Sequence, residues 1–273
     1  ATIGFADGDD AARAAAAAAT AQRDWANTGF QERAAVLRRA GDLIAQHAEE
    51  IQWWIIREAG SVQPKAELET HVAAQECYEA AALPSRPFGR ILPSEQPRFS
   101  LERRVPAGVV AVIAPFNVPL ILSIRSVAPA LALGNAVVLK PDPRTAVCGG
   151  VVLARVFEEA GLPDGLLHVL PGGAEAGEAL VADPHVRMVS FTGSTAAGRK
   201  VGATAARHLK RVHLELGGNS ALVVLDDADL DLAVGAGAFG SFLYQGQICM
   251  TTGRHLVHER LADAYVEALA AKA

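Results

Sequence analysis

The chain has 273 residues, 25 Lys+Arg against 30 Asp+Glu, a formal net charge of -5, and is 51% hydrophobic and 20% charged. That balance excludes intrinsic disorder, mild acidity without a Lys/Arg block excludes nucleic acid as an electrostatic partner, and no run of about 18 strongly apolar residues offers a membrane span. Cys77, Cys148 and Cys249 stand far apart, against a disulfide scaffold or CxxC metal site, and with no leader before Ala11 the reading is a cytoplasmic globular protein.

The first 90 residues read as helices. Asp9 and Asp10 are placed to cap an alanine-rich helix to about Trp25. A single helix is expected from Gln31 to Ala59, with Val36, Leu37, Ala40, Leu43, Ile44 and Ile51 on one face and Gly60 as its stop. A third runs from about Lys65 to Ala82. Ser85 to Pro97, with three prolines, reads as an extended connector. Trp25, Trp53 and Trp54 read as packing residues.

Then the period changes. Arg98 to Val105 alternates like a half-exposed strand, and Val109 to Ala114 is a continuous apolar strand. Helices near Leu120–Leu133, Thr145–Ala160, after Ala174 and at Thr195–His208 alternate with strands at Ala136–Lys140, Leu166–Leu170, Val186–Phe191, Val212–Leu216 and Ser220–Leu225. Such alternation predicts an α/β fold with a parallel sheet covered by helices on both faces. Leu261 to Ala273 reads as an amphipathic helix without a cap, and with no initiator Met the chain reads as a fragment.

Ligands of such sheets bind at the carboxyl ends of the strands. There the sequence offers Pro115-Phe116-Asn117-Val118-Pro119, Lys140-Pro141-Asp142-Pro143, Gly193-Ser194 with Gly198, and Glu215-Leu216-Gly217-Gly218. The Gly193–Gly198 turn opens a helix and suits a phosphate, yet matches neither GxGxxG nor the Walker pattern. A lone lysine like Lys140 is more often a solvated charge, and a cysteine between Ile248 and Met250 more often a buried small hydrophobe. Glu215 before two glycines is harder to dismiss, since burying it is costly and the glycines allow close backbone approach. Asn117 is a turn residue or a donor to an oxyanion. Gly218-Asn219-Ser220 lacks the closing glycine of a nucleophile elbow. The spacing of His255 and His258 would put them on opposite faces of a strand, so no metal is expected.

In this order and spacing, Ala-Pro-Phe-Asn117, Lys140-Pro141, Phe191 to Thr195 with Gly198, Glu215 to Gly218 and Gly246-Gln247-Ile248-Cys249 resemble the NAD(P)-dependent aldehyde dehydrogenase superfamily, from about Ala11 to the end. Each motif is weak alone; five in register are specific. Asn117 to Pro129 and Lys140 to Thr145 look most like the benzaldehyde and vanillin dehydrogenase branch.

The resemblance implies a Rossmann-like NAD(P)-binding domain over residues 1–240, the start of an oligomerisation ribbon near 98–106, and the opening of a catalytic α/β domain at 241–273. It implies oxidation of an aldehyde, benzaldehyde-like, to the acid, with Cys249 as nucleophile, Asn117 and the Cys249 N–H holding the oxyanion, and Glu215 activating water to release a thioester. Ala114, Pro115, Phe116, Lys140, Gly193, Ser194, Gly198 and Leu216 would contact the cofactor; Val118, Arg125, Leu243, Ile248 and Met250 would line the substrate pocket, Arg125 either orienting a polar substituent there or pairing with an acid elsewhere. A homodimer or homotetramer is implied for a full-length chain nearly twice this long. Phe116 replaces the usual Trp. Pro143 replaces a Glu that meets the adenosine ribose, so NADP is expected to serve as well as NAD. The alternatives are a dinucleotide-binding fragment without activity, or a CoA-acylating relative, which would lack Glu215.

Overall fold

The computed structural model describes residues 3–273; Ala1 and Thr2, where the expected NAD(P)-binding domain begins, lie outside the described residues. Four helices come first: α1 (Gly8–Asn27), α2 (Phe30–Gln46), α3 (Ala48–Ala59) and α4 (Gln63–Ala82). The cap of α1 is Asp7, not Asp9 or Asp10: its carboxylate accepts from Asp10 N at 2.9 Å, and Asp10 answers by accepting from Asp7 N at 3.1 Å. The run expected as one helix is two, broken at His47 (φ -101, ψ 23). Its apolar spacing passes straight through the break from Ile44 to Ile51 and Ile55, so periodicity cannot reveal it. Gly60 ends α3 at φ 63, a left-handed cap.

The supposed connector holds β1 (Gly89–Leu92), which pairs antiparallel with β2 (Ser100–Arg103), Gly89 opposite Arg103. Its prolines lie outside the paired residues. Next come β3 (Val109–Ile113), α5 (Pro119–Ala132), β4 (Ala136–Lys140), α6 (Val152–Glu159), β5 (Leu167–Val169), α7 (Ala174–Ala182), β6 (Val186–Gly193), α8 (Thr195–Arg207) and β7 (Arg211–Leu216). The helix expected over Thr145–Ala160 is a 3-10 turn at Pro143–Thr145, a π turn at Val147–Val151 and then α6. Gly150 lies in that wide turn where a Cβ would stand 2.8 Å from both Pro141 and Val169.

Five strands line up as β5-β4-β3-β6-β7. β3 is parallel to β4 (Ile113 opposite Lys140) and to β6 (Ile113 opposite Phe191), and β4 to β5. From β3 the chain steps outward through α5 and α6, then returns through α7 to β6 on the other side. Right-handed crossovers therefore put α5 and α6 on one face and α7 on the opposite one. α1 packs on α7 and β4, while α2, α3 and α4 pack over α5 and the π turn. Buried residues include all of β4, most of β3, Trp25, Leu37, Ile44, Leu120, Ile124, Leu131 and Phe157. Trp25 ties α1 to α5 by donating to Leu131 O at 2.8 Å. Trp53 departs from the packing expectation: it is 49% exposed, edge-on to Trp54 and under the Arg57 guanidinium.

The chain divides into two compact units, residues 1–192 with 196–214, and residues 193–195 with 215–273. The smaller one holds β8 (Ala221–Val224) parallel to β9 (Arg254–Val257), with α9 (Leu230–Phe242) and α10 (Glu259–Ala270) around Val224, Val234 and Tyr265. The terminal helix is not uncapped: the His258 ring accepts from Arg260 N at 3.3 Å. Among the described residues no helix is long and apolar enough to cross a membrane.

Candidate active site

In the larger unit the strand order reverses between β3 and β6, the switch point at which open α/β sheets bind ligands. β3 runs into buried Ala114, whose N–H donates to Lys140 O at 3.1 Å. Pro115, Phe116, Asn117 and Val118 follow, all half-buried, and Pro119 opens α5. Val118 offers no side-chain cap to that helix. The missing acceptor comes from α4, where the Glu69 carboxylate takes Leu120 N at 3.2 Å. Glu69 is itself fully buried and paired with Lys65, which also donates to Ser61 Oγ at 3.0 Å. Burial holds the Glu69 carboxyl above the usual carboxylate range despite Lys65.

A second carboxylate repeats this device. Glu58 on α3 accepts from Val147 N at 3.1 Å and Cys148 N at 2.7 Å, at the start of the π turn. Neither role was read from the sequence. The available signal was a Lys65/Glu69 pair lying inside the apolar stripe of α4, with Ala73, Cys77 and Ala80.

Lys140 ends β4 buried, with its ammonium donating to Pro141 O at 3.1 Å. The solvated alternative is thereby corrected: the side chain lies along the sheet end, and burial lowers its pKa below the ordinary lysine value against the pull of Asp142. Asp142 caps the following turn and receives the Arg144 guanidinium on both oxygens at 2.9 Å. Arg144 also lies over the Phe116 ring, 3.9 Å from its centre. The loops after β3 and β4 thus meet through Phe116 and Arg144, with Pro143 exposed between. Gly198 is buried in the first turn of α8. Arg125 is exposed on α5, paired with Glu76 of α4 at 3.0 Å.

The smaller unit contains the remaining predicted residues. Gly193 ends β6 and exposed Ser194 precedes α8. Glu215 is exposed and Leu216 half-buried at the end of β7. A Cβ on Gly218 would stand 3.0 Å from Cys249 O, whereas one on Gly217 would meet nothing within 4 Å. Ser220 N donates to Thr251 O at 2.9 Å. The structure therefore brings the Glu-Leu-Gly-Gly segment against the Cys249 segment. Cys249 is exposed, which corrects the buried-hydrophobe alternative. Its neighbour Met250 is 68% exposed, with Leu243 and Ile248 half-buried. Upstream, Tyr244, Gln245 and Gly246 have successive φ values of 50, 53 and 72. Two consecutive non-glycine residues in the left-handed region are strained, a state that persists only where surroundings over-determine it.

A model of the aldehyde dehydrogenase family matches residues 1–273. The chain is 74% identical over 271 residues to a vanillin dehydrogenase of an Amycolatopsis strain, and 52% identical over 271 residues to a benzaldehyde dehydrogenase [NAD(+)] of Pseudomonas putida, covering 99% of this chain and 56% of each relative. A crystal structure of an NAD-dependent benzaldehyde dehydrogenase from Corynebacterium glutamicum superposes with a TM-score of 0.93 at 47% identity, over 98% of this chain and 59% of that one. The chain thus spans little more than half the length of the curated relatives it matches.

Proposed function

The chain belongs to the aldehyde dehydrogenase family, and from that premise we propose that the protein oxidises an aldehyde of the benzaldehyde type to its carboxylic acid, with NAD or NADP as hydride acceptor. The observation that carries the proposal is the close approach of the Glu215–Gly218 segment to the segment of an exposed Cys249: a Cβ added at Gly218 would stand 3.0 Å from Cys249 O, and Ser220 N donates to Thr251 O at 2.9 Å. A thiol meant for attack must be reachable, and the carboxylate for the next step stands on the segment packed against the thiol's own. The aromatic class is supported by the vanillin and benzaldehyde dehydrogenases among the relatives; we assign Val118, Arg125, Leu243, Ile248 and Met250 to the substrate pocket.

Cys249 as thiolate attacks the aldehyde carbon, and the oxygen that gains charge is held by the Asn117 amide and the Cys249 N–H, about 3 kcal/mol per donor. A bound nicotinamide coenzyme would supply the hydride acceptor that this oxidation needs. Glu215 then removes a proton from the water that attacks the Cys249 thioester; the acid departs and the thiolate is restored. Buried Lys140, whose fixed ammonium at a strand end suits a ribose or phosphate, fits a dinucleotide. With it we assign Ala114, Pro115, Phe116, Gly193, Ser194, Gly198 and Leu216 to the cofactor. Coenzyme binding is assigned to residues 1–240 and the opening of the catalytic part to 241–273, a functional division independent of the compact units. A cytoplasmic homodimer or homotetramer belongs to the same reading, with the β1–β2 ribbon as its start.

The test uses the protein as its gene encodes it, with a panel of aromatic and aliphatic aldehydes with and without CoA. Cys249→Ala is expected to abolish the NAD(P)H burst. Glu215→Gln is expected to keep the burst and slow steady turnover. Equal loss of both phases would contradict the general base, and turnover only with CoA would replace the hydrolytic reaction by an acylating one.

A further inference from the structure

In the smaller unit, four side chains that the proposed chemistry does not use are linked behind the Cys249 segment. Tyr265 Oη lies 2.9 Å from His255 Nδ1, and His255 Nε2 lies 2.9 Å from both Ser241 Oγ and Thr252 O. Ser241 Oγ donates to Thr252 O at 2.9 Å. Thr252 N donates in turn to Gly240 O at 2.9 Å, and Thr251 Oγ1 to the same carbonyl at 3.2 Å. Tyr265 is buried, and Gly237 of α9 leaves the space its hydroxyl occupies, since a Cβ there would collide with it. Gly240 does the same for the Thr252 side chain.

For a neutral His255 ring, one proton arrangement satisfies these distances. A carbonyl oxygen only accepts, so an unprotonated Nε2 facing Thr252 O would set lone pair against lone pair; Nε2 must carry a proton. In a neutral imidazole Nδ1 is then the acceptor, and the donor 2.9 Å away is the Tyr265 hydroxyl. Tyr265 thus selects the tautomer, and the tautomer clamps the Thr252 carbonyl, three residues after Cys249. α9 holds the amide side of the same residue, so Thr252 is fixed from both sides.

We propose that Tyr265 and His255 form a positioning relay that holds the Cys249 segment in register against α9. The proposal rests on Cys249 being the nucleophile. The relay explains how the strained Tyr244–Gly246 turn persists: strain before the cysteine requires an anchored segment after it.

The experiment compares His255→Leu, His255→Gln and Tyr265→Phe in the protein as its gene encodes it. His255→Leu removes both contacts. His255→Gln keeps an N–H near the Nε2 position. Tyr265→Phe keeps the buried ring and deletes only the tautomer-setting hydroxyl. The NADH burst rate at saturating aldehyde is expected to fall about five- to tenfold in His255→Leu and about fivefold in Tyr265→Phe, the effect of one or two ordinary hydrogen bonds. Coenzyme KM should stay unchanged, and His255→Gln should recover to within about twofold of wild type. Nitrogen NMR of the His255 ring should report the Nε2–H tautomer in wild type and a mixture in Tyr265→Phe. Wild-type burst rates in both His255→Leu and Tyr265→Phe, or the opposite tautomer in wild type, would overturn the relay. If Cys249→Ala keeps its burst, the nucleophile assignment fails instead, while the NMR result still decides the tautomer.

Discussion

Arg144 holds its guanidinium 3.9 Å from the centre of the Phe116 ring while donating to both oxygens of Asp142 at 2.9 Å. The Asp142 charge beside the loop is therefore compensated, and Pro143 next to it brings no carboxylate. On the proposed coenzyme site a 2′-phosphate would meet a neutralised turn, so NADP is expected to be turned over alongside NAD. Arg144→Ala removes the cation and unmasks Asp142. It should lower kcat/KM for NADP about tenfold relative to NAD, as one partly exposed charge contact is worth ~1–2 kcal/mol. Parallel kinetics with both coenzymes measure this, and an unchanged ratio rules it out.

The buried Lys65–Glu69 pair predicts a stability signature. Glu69→Gln strands a buried ammonium and takes an anion from the start of α5, so urea unfolding should show a loss of about 3 kcal/mol. Replacing both partners, Lys65→Met with Glu69→Leu, should cost less than Glu69→Gln alone. Burial raises the folded carboxyl pKa of Glu69, so the native state binds its proton more tightly than the unfolded chain does. The contribution is full below the ordinary carboxylate pKa and is lost as pH rises through the raised value. Glu69→Gln should flatten that slope; an unaltered slope would assign it to another group.

The strands were legible because β3 and β4 are buried on both faces and read as unbroken runs of Val, Ala, Ile and Leu. The site segments were legible for a related reason: glycines and polar residues at strand ends answer to local geometry. What escaped depends on distant partners. α9 carries glycines at 235, 237 and 240, which weaken any helix signal; two of them seat Tyr265 and Thr252, residues remote in sequence. The pairing of β1 with β2 is a cross-strand matter inside a proline-rich stretch. Glu58 and Glu69 look like surface acids until the helix starts they serve are folded against them.

Gly217 and Gly218 look equivalent in the sequence and are not equivalent in space. A Cβ at Gly218 would press 3.0 Å against Cys249 O, a backbone atom with little freedom, while Gly217 faces open space. Gly218→Ala should displace the Cys249 backbone by a few tenths of an ångström and lower the burst rate about tenfold, since such shifts weaken aligned attack. Gly217→Ala should leave the melting temperature within about 2 °C of wild type, the size of a surface substitution. Stopped-flow NADH formation and thermal unfolding separate the two effects, and equal burst rates in the two variants would refute the distinction.

The three thiols should differ sharply in reactivity. Cys249 is exposed, whereas Cys77 and Cys148 are buried. Burial, with Glu76 close by, pushes the Cys77 thiol from 9.0 up to about 12, so at pH 8 it carries about a thousandth of its ordinary thiolate. Burial and then Glu58 push Cys148 up as well. Iodoacetamide at pH 8 should therefore label one thiol per folded chain, Cys249 by peptide mapping, and all three once urea unfolds it. The same shift makes alkali destabilising: above about pH 9 the unfolded chain loses a Cys77 proton that the native state keeps, so stability falls as pH rises toward 12. Cys77→Ala should reduce that alkaline loss even though it removes a buried side chain and lowers stability at neutral pH. Labelling of Cys77 ahead of Cys249 in the folded protein would contradict both the burial and the sign of this pH dependence.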